Sequence, residues 1–179
     1  MDGTGPFLWL SSAAPRRGFR ALPPSGMCIS AFVLVEREGE LLLGKYADDP
    51  RWEELAGLDE GRWRAHGKGW TVPASQLRFG EEPRAAGRRI ARDILRMPDL
   101  RLSEPRVESD HYVPARFPEL GMHYDLWLLF GAKLPSDATM ERPPWYRELA
   151  FHAPDALAAS DYARGHEDVV ARWLAPRGR

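Results

Sequence analysis

VPASQLRFGEEPRAAGRRIARDILRM, residues 72–97, starts as a loop and ends as a helix. Gly80 breaks the loop, Glu82 precedes a proline at the first helical position, and Pro98 stops the run, so a helix is expected from about Pro83 to Arg96. Gly87 lies inside it at a cost of roughly 1 kcal/mol relative to Ala. Positions 90, 93 and 94 are three and four residues apart and share one helix face, which reads Ile90, Asp93, Ile94. Before this stretch, CISAFVLVE (28–36) and ELLLGKY (40–46) are β-rich runs separated by Arg37, Glu38 and Gly39, the signature of a hairpin. A long polar segment from Ala47 to about Gly69 follows, with a short helix starting at Asp49-Pro50 and leading into RWEELAGL. After the helix come strands RVESDHYV (106–113) and MHYDLWLLFGAKL (122–134), then one near Glu148–Phe151. In the second strand Met122, Tyr124, Leu126, Leu128 and Phe130 share one face, and His123, Asp125 and Trp127 the other. Two helical pieces end the chain, Pro154–Ala159 and about His166–Ala175, the latter with Val169, Val170, Trp173 and Leu174 as its buried stripe. Strands, a helix, more strands and a terminal helix imply an α/β (α+β) layered domain.

Bulk properties narrow the function classes. The 179 residues suit one domain with a decorated end: residues 1–26, rich in Gly, Pro, Ser and Arg, read as an N-terminal extension to a domain over 27–179. Phe7–Leu10 form an apolar knot in that extension, expected to pack on the domain surface or on a neighbouring subunit of a homodimer. A formal net charge of -1 argues against bulk attraction to nucleic acid or to an anionic membrane. Lysine occurs only at Lys45, Lys68 and Lys133 among 25 basic residues, a skew that suits either bidentate phosphate contacts or a GC-rich coding bias. Cys28 stands alone, so no intrachain disulfide forms, and the expected compartment is the reducing cytoplasm. No apolar run approaches the ~20 residues that span a bilayer.

Residues 72–97 resemble the Nudix box, the loop–helix signature of Mg²⁺-dependent hydrolases that cleave nucleoside diphosphates linked to another moiety. The family's pattern is a Gly, five residues, a Glu, seven residues, then Arg-Glu-aliphatic-any-Glu-Glu-any-Gly-aliphatic. On this chain its outer Glu is Glu81 and its Arg is Arg89. The opening Gly falls on Ser75, the Glu after the Arg on Ile90, the Glu pair on Asp93 and Ile94, and the closing Gly on Arg96. WTVP, Phe79-Gly80-Glu81 and Arg89 stand where the family has them, and the resemblance extends over roughly residues 27–175. It implies a Nudix-like mixed sheet sandwiched between helices. It also implies Mg²⁺ as the cofactor of an active form, with Glu81 and Asp93 as the remaining carboxylates for metal and catalysis. Two of the three helix-face positions are β-branched and apolar, offer no ligand and resist the hydration that Mg²⁺ keeps. Glu81 and Arg89 equally suit a pair that simply holds the loop, and Asp93 equally suits a solvated helix residue near Arg89 or Arg96.

Within that family, LLLGK (41–45), HYDLWLLF (123–130) and DALAASD (155–161) are similar to the GDP-mannose mannosyl hydrolase group, whose chemistry displaces at a sugar carbon with a histidine as general base. That likeness puts the base at His123, a side chain suited to the role by its near-neutral pKa. The other reading is a polar residue on a half-exposed strand. Arg89, Asp125 and Trp127 are the binding candidates. Trp52 and Trp63 offer stacking surfaces, and Arg51, Arg64 and Lys68 phosphate contacts, unless they serve as core or loop anchors. Asp48, Asp49, Glu53, Glu54, Asp59 and Glu60 form an acidic reserve in the polar segment. Three functions remain open. One is a protein that binds a small nucleoside-diphosphate-linked ligand such as a nucleotide sugar, with metal-dependent hydrolysis weakened or lost. Another is an active Mg²⁺-dependent hydrolase of nucleoside diphosphate sugars that uses Glu81, Asp93 and His123. A purely structural domain with its groove closed is a third.

Overall fold

The computed structural model describes residues 8–9, 27–58, 60, 64, 68–78, 80–112 and 123–176. In chain order the strands are β1 (Leu8–Trp9), β2 (Met27–Arg37), β3 (Glu40–Tyr46), β4 (Ala74–Gln76), β5 (Arg106–Tyr112), β6 (His123–Lys133) and β7 (Tyr146–His152). The helices are α1 (Arg51–Ala56), α2 (Pro83–Arg89), continued by a wide π turn over Ile90–Ile94, and α3 (His166–Leu174). One mixed sheet, ordered β5-β6-β2-β3-β7, holds them together, and β1 and β4 add to β2. Its spine is the parallel pair β2–β6, in register from Met27 opposite Tyr124 to Glu36 opposite Lys133. A strand buried on both faces reads as a continuous apolar run rather than an alternation, which AFVLV and LWLLF illustrate.

The hairpin turn is tighter than the three residues its sequence suggests. Arg37 still pairs with Glu40, so only Glu38 and Gly39 turn, with φ of 53° and 87°. Two consecutive left-handed residues make the turn whose twist matches the flanking strands. Each face of the sheet carries its own core. On one face Ala31, Val33, Val35, Leu128, Phe130 and Ala132 meet Ile90, Ile94 and Leu95 of the long helix, together with Trp52, Leu58 and Trp145. On the other, Phe32, Leu34, Trp127 and Leu129 meet Val169 and Val170 of α3, with Trp70 and Val72. The sheet thus lies between helices, as the layered reading requires.

Three local expectations are corrected. The helix over 83–96 does not keep one pitch. α2 ends at Arg89, and the Leu95 amide reaches back five residues to the Ile90 carbonyl at 3.0 Å. The wider turn points Ile90, Ala91, Ile94 and Leu95 inward together. Residues 154–158 form turns rather than a helix, followed by a 3₁₀ turn at Ala159–Asp161. There the Asp161 carbonyl accepts from the Trp70 amide at 2.8 Å, which ties the segment to the β-rich half instead of letting it coil. On α3, Val169 and Val170 are buried as expected, but Leu174 at the helix end is 51% exposed.

Gly87 also has a reason to sit inside a helix. A Cβ there would stand 3.0 Å from the Phe130 ring and 3.1 Å from Leu102, so the glycine lets α2 approach the sheet closely. At its start, the Glu82 carboxylate accepts from the Arg84 and Ala85 amides at 3.0 Å each, capping the helix before Pro83. No helix among the described residues is long and apolar enough to cross a membrane. Trp63, Asp59 and the knot residues Phe7 and Leu10 lie outside the described residues.

Candidate functional site

Glu81 and Arg89 meet as a two-point ion pair, with Nε to Oε1 at 2.7 Å and Nη2 to Oε2 at 2.8 Å. Their side chains are only 12% and 6% exposed. Every remaining guanidinium donor is also used. Nη1 donates to the Ser75 hydroxyl at 2.9 Å and to the Leu55 carbonyl at 3.4 Å, and Nη2 to the Gln76 carbonyl at 3.0 Å. Arginine alone can satisfy five acceptors in one plane. Ser75, standing where the resemblance expects a glycine, earns its place by that hydroxyl. The Arg78 amide donates to Glu81 Oε2 at 3.0 Å. Burial alone would raise the Glu81 pKa, but the hydrogen bonds from Arg89 and Arg78 and their positive charges hold it below the usual carboxylate range. Both carboxylate oxygens are therefore engaged inside the protein.

The helix face at 90, 93 and 94 is divided. Ile90 and Ile94 are completely buried in the core. Trp145 closes over them, its indole N–H donating to the Ile94 carbonyl at 2.8 Å, and its own carbonyl accepts from the Trp52 indole at 3.0 Å. The guanidinium groups of Arg51 and Arg96 stand 5.0 and 4.9 Å from the Trp145 ring centre. Asp93 turns outward and is gripped by Arg92 at 2.6 and 2.8 Å. The Arg92 hydrogen bond, against some desolvation, lowers the Asp93 pKa. Arg96, at the position of the expected closing glycine, keeps the left-handed backbone of such a residue, with φ of 59°.

This donor set does not fit Mg²⁺. The ion needs several oxygen ligands with room for water, whereas the face offers two buried isoleucines, a carboxylate closed by Arg89 and another held by Arg92. The acidic reserve is committed in part as well: Asp49 is paired with Arg51, and Glu60 with Arg64.

His123, Asp125 and Trp127 do come together, but on the sheet face that carries α3 rather than the long helix. His123 is buried rather than half exposed, and β5 pairs beside that end of β6 with Tyr112 opposite His123. His123 Nε2 stands 3.3 Å from Asp125 Oδ1. The Tyr112 ring lies edge-on to the imidazole, 5.6 Å between centres. Desolvation and the Asp125 carboxylate, which its hydroxyl meets, push the Tyr112 phenol well up. Cys28 joins the group because parallel pairing sets it opposite Asp125, and Gln76 Nε2 approaches the Cys28 sulfur at 3.7 Å. Cys28, Gln76 and Tyr112 escaped the sequence reading. Their signal is strand register: Cys28 lies opposite Asp125, almost a hundred residues on, Gln76 opposite Ser30, and Tyr112 opposite His123. Structure thus separates Glu81, Arg89 and Asp93 on one side of the sheet from His123, Asp125 and Trp127 on the other.

No model of a known protein family matches the chain, and no curated protein matches it. Solved structures do. The chain is similar to the dihydroneopterin triphosphate pyrophosphohydrolase of E. coli, with 13% identity and a TM-score of 0.56 over 82% of this chain and 94% of that one. It is similar to a MutT NUDIX hydrolase from Burkholderia pseudomallei, with 14% identity and a TM-score of 0.51 over 83% and 98%. The Ap4A hydrolase of C. elegans matches at 16% identity and a TM-score of 0.51 over 82% and 94%. At such identities the likeness is one of architecture: the chain has the Nudix fold.

Proposed function

We propose that this Nudix-fold chain binds a nucleoside-diphosphate-linked small molecule, nucleotide sugars among the candidates, and has lost efficient Mg²⁺-dependent hydrolysis. One observation carries the reading. Ile90 and Ile94, which stand where the box resemblance calls for metal-binding carboxylates, are completely buried in the apolar core. A hydrated divalent cation has no place beside them. The saturated Glu81–Arg89 pair supports the same view, since it holds the loop before α2 without needing a metal. The ligand class draws on the fold and on neighbours named for acting on dihydroneopterin triphosphate and on Ap4A. An active hydrolase would draw on Glu81 and Asp93, with His123 as a further candidate, and His123 faces the opposite side of the sheet from the helix that bears Asp93.

Thermal-shift measurements with nucleotides and nucleotide sugars, each with and without Mg²⁺, test the proposal. Ligand binding to the native state raises the midpoint, and the expected result is a rise with at least one compound that does not require Mg²⁺. Robust Mg²⁺-dependent turnover that Asp93→Ala abolishes would refute it in favour of the active hydrolase. If no compound shifts the midpoint, the domain is structural.

A further inference from the structure

We infer that Cys28, His123 and Asp125 form a binding site for a transition-metal ion of the zinc class, on the sheet face opposite the long helix. The ligand atoms of these three side chains all lie within 4.8 Å of one another. Each is held on a regular strand: Cys28 on β2, His123 and Asp125 two residues apart on β6, with Cys28 and Asp125 directly opposite each other in the parallel register. Strand placement fixes such a group more rigidly than a loop does. The His123 Nε2 to Asp125 Oδ1 separation of 3.3 Å is the spacing that two ligands of a tetrahedral zinc take, about 3.3 Å for metal–ligand bonds of about 2.0–2.1 Å.

The donor chemistry selects the metal. One thiolate, one imidazole and one carboxylate suit zinc and its divalent neighbours, and a single oxygen donor does not suit Mg²⁺ or Ca²⁺. Burial agrees, because the side chains of His123 and Asp125 are 8% and 13% exposed and Cys28 is 8% exposed.

An independent observation points to an occupant. Gln76 is 8% exposed and turned towards the cluster, with its amide nitrogen 3.7 Å from the Cys28 sulfur. Its Oε1 is buried with no hydrogen-bond partner among the described residues. A buried amide oxygen left unsatisfied is costly. With a metal present, the amide has two useful settings. Its N–H groups can donate to the Cys28 thiolate, or a half-turn about the last side-chain bond can present Oε1 as a fourth ligand. Tyr112, which meets the Asp125 carboxylate through its hydroxyl, orients that ligand from β5 as outer partners of metal ligands do. Binding releases the Cys28 proton to solvent and forms one sulfur–metal bond, with no change of oxidation state.

Cobalt(II) makes the test clean, because Cys28 is the chain's sole cysteine. The full chain, stripped with chelator and kept reduced with a phosphine, is titrated with Co²⁺ and followed by absorption. The expected result is a near-ultraviolet thiolate-to-cobalt charge-transfer band saturating at one ion per chain and displaced by Zn²⁺. The band should vanish in Cys28→Ser, and Asp125→Asn should weaken Co²⁺ binding at least tenfold. Zn²⁺ should raise the thermal midpoint of the unaltered protein. Absence of the charge-transfer band in the unaltered protein overturns the inference, as does an undiminished band in Cys28→Ser. If Cys28→Ser fails to fold by circular dichroism, the unaltered protein's spectrum still decides. None of these readouts depends on nucleotide binding, so the site and the proposed function stand or fall separately.

Discussion

Ile94 and Glu81 show how much one residue can settle. A glutamate at 94 would place a carboxylate in a site with no exposure, beneath Trp145 and against the sheet. An unpaired buried charge is far too costly for such a site to accept intact. Ile94→Glu is therefore expected to destabilise the chain by more than about 4 kcal/mol, read as a collapse of the urea midpoint rather than a gain of Mg²⁺-dependent activity. A folded, Mg²⁺-binding Ile94→Glu protein would show that the face opens. Glu81→Gln leaves the Arg89 charge buried with one neutral partner in place of its counterion. The loss should be about 3 kcal/mol, and Asp93→Asn, in an exposed pair, should be far milder in the same urea titration. The pH dependence of Glu81 follows from its lowered pKa. Its contribution is present above the unfolded value of about 4.5 and is lost as pH falls through the lower folded value. Glu81→Gln should flatten the acid limb of a stability-against-pH curve.

At the level of elements, two buried positions govern how helices meet the sheet. His166 begins α3, is 3% exposed, and accepts the Val72 amide through Nδ1 at 2.9 Å. Burial, aided by the Arg164 charge, holds its pKa well below the ordinary imidazole value. The folded protein thus keeps His166 neutral while the unfolded chain takes up a proton below about pH 6.5. The sign follows: this stability is fully present above that pH and falls as pH drops towards the folded value. Urea unfolding at steps from pH 7.5 to 5 should show the decline, and His166→Gln should start less stable but lose that slope. Gly87→Ala tests the other contact. Helix propensity alone favours Ala by about 1 kcal/mol, but the added methyl would press on Phe130, itself fully buried. The net expectation is a destabilisation of about 1–2 kcal/mol by thermal unfolding, since overpacking a filled core costs about 1–3 kcal/mol. A rise in the midpoint would mean that α2 shifts away at little cost.

The whole molecule is organised by the β2–β6 pair, which divides two cores and thereby two sets of polar residues. The buried residues of the two cores run from Ala31 to Tyr146 and from Phe32 to Val170. We accordingly propose that residues 1–26 are an appendage to a domain that carries its own stability, although Leu8–Trp9 pairs with the start of β2. A chain beginning at Met27 should fold with unchanged near-ultraviolet circular dichroism and unfold in one cooperative step. Loss of that signal would make the first segment part of the fold.

Local chemistry made much of this legible in advance. The capped start at Glu82-Pro83, the Gly39 turn, and the apolar runs of β2, β3 and β6 all follow from backbone preference and periodicity over a few residues. The resemblance of residues 72–97 to the Nudix box made the pairing of Glu81 with Arg89 readable too. Long-range packing supplied the rest. The π turn after Arg89 depends on four apolar residues seeking one core, which a regular helical pattern does not announce. Burial of His123 involves β5 pairing beside that end of β6, and strand alternation by itself cannot say which faces are covered. Cys28 and Asp125 are neighbours only because two strands run parallel in one register. Hydrophobic pattern and turn chemistry act between nearby residues and can be read along the chain; register, helix docking and the sharing of buried polar partners act between distant segments, and they exist only once the sheet has formed.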